Sequence, residues 1–156
     1  MTSILFVCHG NICRSPMAEF VMKDMARKCG IEHEIYVESA ATSTEELGND
    51  IHYGTRAKLT EQGIPFSRRR ARQISPDDYD RFDCIIVMDG NNLRNLRRII
   101  PSDPDGKIHK LLDFTPRQGA DIADPWYTGD FDLTYNDIAE GCAGLLDFLC
   151  KSKISY

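Results

Sequence analysis

The stretch Phe6-Val7-Cys8-His9-Gly10-Asn11-Ile12-Cys13-Arg14-Ser15-Pro16 decides how this chain is read. The apolar run at residues 4–7 reads as a short buried strand that ends at a cysteine. Ser15-Pro16 then signals a helix start, because serine caps free N–H groups and proline suits the first helical position. Between strand and helix lie Gly10 and Asn11, the residue types that most readily adopt positive φ. A loop of this kind can turn its N–H groups inward beside a helix N-terminus. That makes an anion site with a thiol at its floor.

Working outward, residues 15–29 carry Met17, Ala18, Val21, Met22, Met25 and Ala26 at helical steps, and Gly30 supplies the stop. Residues 33–39 alternate around Ile35 and Val37 and read as a second strand. Strand, helix, strand with short joins is a βαβ unit, which predicts parallel strands. A second helix is expected over 53–62, and Ser75-Pro76-Asp77-Asp78 reads as a helix cap and first turn. A third strand is expected over 82–88, a helix over 93–100, a weaker strand over 108–112 and a last helix over 135–151. Residues 115–132 read as long and irregular. The alternation predicts one domain over 1–156, an open, parallel, four-stranded α/β sheet of flavodoxin-like type with helices on both faces. Cys8, Ser39, Asp89 and the loop with Asp124 would then share the edge at the strand C-terminal ends.

Composition narrows the class. With 156 residues, 42% apolar and 28% charged, the chain reads as an ordinary globular protein. Nineteen basic against twenty-four acidic residues give −5, which argues against nucleic acid as a partner. No stretch reaches membrane-span length and no secretory leader is visible, so a cytoplasmic, non-membrane location is expected. The six cysteines form no C-x-x-C pair and no zinc-like cluster. Cys84, Cys142 and Cys150 sit in apolar runs and read as small buried hydrophobes, which leaves Cys8 and Cys13 set apart by their loop. Arg68-Arg69-Arg70-Ala71-Arg72 reads as a solvated surface compensated by Asp77, Asp78 and Asp80. His33, His52 and His109 show no ligand spacing, and His9 is expected to face out of its loop.

The loop's chemistry follows from its residue types. Inward N–H groups and a helix N-terminus favour Cys8 as a thiolate, which is a nucleophile without a separate base. The planar fork of Arg14 can take two oxygens of a tetrahedral oxyanion, and Ser15 can donate to the sulfur. A phosphate monoester satisfies all of these donors. Its leaving oxygen needs a proton, and Asp124 is the best candidate, before a proline and next to Trp126 and Tyr127, which could line a slot for an aromatic group.

The segment from Val7 to Glu19 resembles the signature of low-molecular-weight protein tyrosine phosphatases. The likeness extends through Ser39-Ala40, Arg56-Ala57, Ala71-Arg72-Gln73, Phe82-Asp83 and Val87-Met88-Asp89 to Asp124-Pro125-Trp126-Tyr127, nearly the whole chain in order. The resemblance implies Cys8 as nucleophile, Arg14 as phosphate clamp and Asp124 as general acid and base. It implies phosphate binding by the loop of His9, Gly10, Asn11, Ile12, Cys13 and Ser15, with a left-handed Asn11 hydrogen-bonded towards Ser39. Ile12, Trp126 and Tyr127 would wall the phenyl ring. No metal or cofactor is implied. The expected partners are phosphotyrosine proteins or peptides, with inorganic phosphate and other oxyanions as ligands, and the expected state is a monomer. Three departures bear on substrate preference: Ala41 where many members have glycine, Glu45-Glu46 near a common aromatic, and Arg69 in place of a histidine. Related scaffolds include a protein-arginine phosphatase, which tends to have threonine where this chain has Ile12, and arsenate reductase, which relays a disulfide through two further cysteines. A non-catalytic phosphate binder is the alternative of another class.

Overall fold

The computed structural model describes residues 1–154, with side chains to Lys151. Four parallel strands, β1 (Thr2–Cys8), β2 (Ile35–Ala41), β3 (Cys84–Val87) and β4 (Ile108–Lys110), lie in the order β2-β1-β3-β4. β1 is central because it is apolar on both faces, as a strand covered from both sides must be. Ile4, Phe6 and Cys8 point to one side and Leu5 and Val7 to the other. The first side packs against α1 (Arg14–Lys28) and α6 (Phe131–Ile154), through Met17, Val21, Ile138, Cys142 and Leu145. The second packs under α3 (Asp78–Arg81) and α4 (Gly90–Ile99), through Tyr79, Phe82 and Leu96. The helix α2 (Tyr53–Glu61) and α5 (Pro125–Thr128) complete the set, with a short 3₁₀ turn at Leu111–Phe114.

The expected four-stranded parallel sheet is present, and several boundaries differ for local reasons. α1 begins at Arg14, with Cys13 in the capping position and no side-chain cap, so the Ser15 hydroxyl is left for other partners. α4 begins at Gly90, because Asp89 accepts the Asn92 N–H at 2.7 Å and caps it. Residues 115–132 are not irregular throughout. Asp124 caps α5, Gly129 ends it at φ 70°, and Asp130 accepts the Leu133 N–H at 2.9 Å at the start of α6. α6 therefore starts at Phe131, four residues before the expected boundary. Among the described residues, no helix is long and apolar enough to cross a membrane.

Parallel strands bring all their C-terminal ends to one edge. Cys8 pairs with Ala41 there, and Val7 with Val87. The chain before α5 is fixed to the same edge by the Ile122 N–H bonded to the Met88 carbonyl at 2.9 Å.

Candidate active site

The loop from Cys8 to Arg14 is held open from outside. The carbonyl of Cys8 accepts the Thr42 N–H at 2.9 Å, and that of His9 accepts the Ser43 N–H at 3.1 Å and its hydroxyl at 2.9 Å. The Asn11 carbonyl takes the Arg69 guanidinium, the Ile12 carbonyl the His52 N–H at 2.9 Å, and the Cys13 carbonyl the Thr55 hydroxyl at 3.2 Å. A trans peptide whose carbonyl turns outward presents its N–H inward. The loop is thus a nest of N–H groups.

Asn11 is the one non-glycine residue with positive φ among the described residues, at 59°. Its side chain donates to Ser15 Oγ at 2.8 Å and accepts the Arg72 N–H at 3.2 Å, and both bonds are buried or nearly so. Gly10 is not left-handed; its role is close approach, since a Cβ there would sit 3.3 Å from Cγ of Glu46. Ser15 Oγ lies 3.0 Å from Cys8 Sγ and 3.4 Å from the Ala40 carbonyl, and the Ser15 N–H reaches the sulfur at 3.4 Å. Because Asn11 donates to that hydroxyl, the hydroxyl's own proton is free for the sulfur or for Ala40.

Arg14 is 2% exposed. Its Nη1 donates to Asp89 Oδ2 at 2.6 Å and to the Ile122 carbonyl at 2.9 Å, and its Nη2 to Asp124 Oδ2 at 3.3 Å. Its Nε is buried and, among the described residues, finds no acceptor. Burial works against the guanidinium charge, but Cys8, Asp89 and Asp124 outweigh it and hold its pKa above the ordinary value. Burial first, with the charges of Cys8 and Asp124 adding, pushes the Cys13 thiol up to about 12, so it stays protonated at neutral pH.

Cys8, Arg14 and Asp124 line one cavity of about 110 Å³ together with His9, Gly10, Ile12, Cys13, Trp126 and Tyr127. Glu45 and Glu46 complete its rim, where the family resemblance points to an aromatic. His9 Nε2 is 2.8 Å from Glu45 Oε2, at the mouth. Trp126 and Tyr127 are 59% and 83% exposed, so both rings stand at the entrance and are not core residues. His52 packs edge-on to Trp126 with ring centroids 5.8 Å apart.

Three points depart from the sequence reading. Ser39 does not meet Asn11. It pairs with Phe6 in the ladder and shares that residue's face under α1, where its hydroxyl donates to Glu19 Oε1 at 2.6 Å. Asp89, expected only on the shared edge, reaches into the site through Arg14, and the sequence signal for it is an acidic residue at a strand end opening a helix. The basic run is not one compensated surface. Arg72 pairs with Asp78 at 3.0 Å and Glu38 at 3.2 Å, and Arg69 turns to the loop and to the Asn49 carbonyl at 3.0 Å, while Asp77 and Asp80 form no ion pair with either.

The model of one protein family, described as low molecular weight phosphotyrosine protein phosphatase, matches residues 3–154. The Bacillus subtilis low molecular weight protein-tyrosine-phosphatase YfkJ is 44% identical over 154 residues, covering 98% of this chain and 99% of its own. PtpA of Staphylococcus aureus, with the same description, is 37% identical over 151 residues, covering 97% and 96%. The crystal structure of YfkJ superimposes with a TM-score of 0.93 at 43% identity, covering 98% and 97%. That of a protein tyrosine phosphatase from Entamoeba histolytica, with Hepes in the active site, gives 0.89 at 29% identity, covering 98% and 99%.

Proposed function

The chain belongs to the low molecular weight phosphotyrosine protein phosphatase family, and from that premise we propose that it hydrolyses phosphotyrosine monoesters through a phosphocysteine on Cys8. The observation that carries this reading is the buried Nε of Arg14, which has no acceptor among the described residues. A buried, unsatisfied donor on a charged group costs about 1–3 kcal/mol or more. A phosphate oxygen seated in the N–H nest removes that cost and gives the guanidinium the anion its fork fits.

In the first step the Cys8 sulfur attacks phosphorus, and the sulfur–phosphorus bond forms as the bond to the phenolic oxygen breaks. The loop N–H groups and Arg14 hold the equatorial oxygens, where the charge of the transition state resides. Bound phosphate competes with Asp124 for the Arg14 fork, which leaves the carboxyl free to face the leaving oxygen. Asp124 gives that oxygen its proton. In the second step the resulting carboxylate takes a proton from water, which attacks phosphorus, and the sulfur leaves as a thiolate supported by the Ser15 hydroxyl. Residues 1–156 act as one catalytic domain in this reading.

Substrate class follows from the walls. Ile12 offers no hydroxyl beside the sulfur, and Trp126 with Tyr127 offers ring faces to an aryl group, which favours phosphotyrosine over phosphoarginine. A thiol relay of the arsenate reductase kind lacks its second member. Cys84 pairs with Ile4, at the far end of the sheet from Cys8, and burial holds its thiol up at about 11.

The variant Cys8→Ser tests the mechanism. We expect loss of p-nitrophenyl phosphate turnover by about 10⁴-fold or more, with phosphate binding retained. Turnover within tenfold of wild type would sink the proposal.

A further inference from the structure

We propose that a second, basic cleft beside the phosphate loop binds an acidic segment of the phosphoprotein substrate, at a distance from the phosphotyrosine itself. The proposal rests on the phosphatase reading above and adds the sequence context that the substrate must have.

Gly48, Asp50, Arg56, Arg68, Arg69 and Arg70 line a cleft of about 490 Å³. Four arginines and one aspartate line it, on a chain whose net charge is −5, and with Arg69 turned to backbone carbonyls the exposed guanidinium groups are those of Arg56, Arg68 and Arg70. Asp50 lies 3.7 Å from Arg56 and accepts the Arg69 backbone N–H at 3.3 Å. Arg68 and Arg70 are exposed, and among the described residues neither has an ion-pair or hydrogen-bond partner. Unpaired guanidinium forks suit carboxylates, which they can grip through two bonds at once. Shape decides between a single anion and a chain. The cleft is open to solvent and, at about 490 Å³ against about 110 Å³ for the catalytic pocket, suits an extended acidic segment.

The cleft is next to the catalytic pocket and mechanically tied to it. Glu46 lines the pocket and Gly48 lines the cleft, so one short segment separates them. Two residues of chain span at most roughly 7 Å. That segment is pinned to the basic run by the Gly48 N–H bonded to the Ala71 carbonyl at 2.9 Å and the Ala71 N–H to the Asn49 carbonyl at 2.8 Å. Arg69 joins both, donating to the Asn49 carbonyl and to the Asn11 carbonyl of the phosphate loop. The rim between them is acidic, since Glu45 and Glu46 stand at the pocket mouth. Like charge disfavours acids immediately beside the phosphotyrosine, so the acidic segment belongs a few residues further along the substrate.

The test is a set of phosphotyrosyl peptides that carry four glutamates, or four glutamines, at spacings of two to eight residues on either side of the phosphotyrosine. Wild type, Arg68→Glu/Arg70→Glu and Arg68→Gln/Arg70→Gln are compared by kcat/KM, with p-nitrophenyl phosphate as the control. Two exposed charge contacts, at Arg68 and Arg70, together predict about a fivefold preference for the best-spaced glutamate peptide at low salt. The preference falls as salt is raised, disappears in the glutamine variant and reverses in the glutamate variant, while p-nitrophenyl phosphate turnover is unchanged. Equal kcat/KM for glutamate and glutamine peptides at every spacing overturns the proposal. So does a preference that survives in both variants, and so does cleft-dependent binding to phosphatidylserine vesicles without any peptide preference, which assigns the cleft to a lipid surface. Absence of p-nitrophenyl phosphate turnover in all three proteins overturns the phosphatase reading, and a glutamate-selective binding of these peptides would still be measurable by their own affinity.

Discussion

Asp89 and Asp124 are the same device used twice. Each caps a helix with one oxygen, Asp89 through the Asn92 N–H and Asp124 through the Trp126 N–H, and gives the other oxygen to Arg14. The two contacts differ in length, 2.6 Å for Asp89 and 3.3 Å for Asp124. The short one fixes the guanidinium, and the long one sits at the mouth, where a leaving group would stand. In the proposed mechanism, Asp124→Ala slows hydrolysis of poor leaving groups such as a phenyl phosphate by about 10²–10³-fold. The loss shrinks for p-nitrophenyl phosphate, whose leaving oxygen needs little help. A plot of log kcat/KM against leaving-group pKa measures this, since kcat/KM reports the first step alone: a steeper slope in the variant is expected, and parallel lines contradict the role given to Asp124. The nucleophile and clamp candidates were legible because they lie in one contiguous stretch. Asp89 was not, because its meaning depends on Arg14, far away in sequence and brought near only by the sheet.

At the scale of elements, α6 docks through glycines that sequence periodicity cannot rank. A Cβ at Gly144 would stand 2.1 Å from the Phe114 carbonyl oxygen, and one at Gly141 would stand 2.4 Å from Cγ of Leu111. Backbone cannot yield as a flexible side chain does, so Gly144→Ala forces α6 away from the 3₁₀ turn. We expect a loss of about 1–3 kcal/mol, read as a lower urea midpoint, with Gly129→Ala as a contrasting site where strain comes from φ and not from space. The β1–loop–α1–β2 unit was readable because its apolar periods are strong and uninterrupted. The region 115–132 was not, since α5 and the start of α6 are set by single side-chain caps and a left-handed glycine. Ser39 braces α1 and not the loop for a related reason: register across β1 and β2 puts it opposite Phe6, below the loop, and Glu19 of α1 reaches it first.

At the scale of the whole molecule, the loop from Cys8 to Arg14 is coupled to α3 and β2 through Arg72. Its backbone N–H holds Asn11, while its side chain pairs with Asp78 on α3 and Glu38 on β2. Burial tends to raise the Asp78 pKa, but its bonds to Arg72 and the Ser75 N–H outweigh that and hold it below the ordinary 3.8. A depressed carboxyl stabilises the fold above its unfolded pKa, and that contribution is lost as pH falls through the lower, folded value. Asp78→Asn should therefore cost about 2–3 kcal/mol at neutral pH. Its deficit relative to wild type should shrink as pH falls below about 4; urea midpoints taken from about pH 7 down to about pH 2 measure this, and a constant deficit contradicts it. The sheet and the common edge of the site were legible from alternation alone. The ties that hold the loop open, through Arg69, Arg72, Thr42 and His52, were not, because backbone carbonyls leave no trace in side-chain pattern. The most direct test of the account is rapid acid quench of the enzyme during turnover of a phosphotyrosyl peptide, followed by peptide mapping by mass. One phosphoryl group on Cys8 is expected, enriched in the Asp124→Ala variant when a good leaving group is used, because water is then activated slowly. Phosphate on any other side chain, or turnover with no phosphoenzyme at any quench time in either protein, would contradict it.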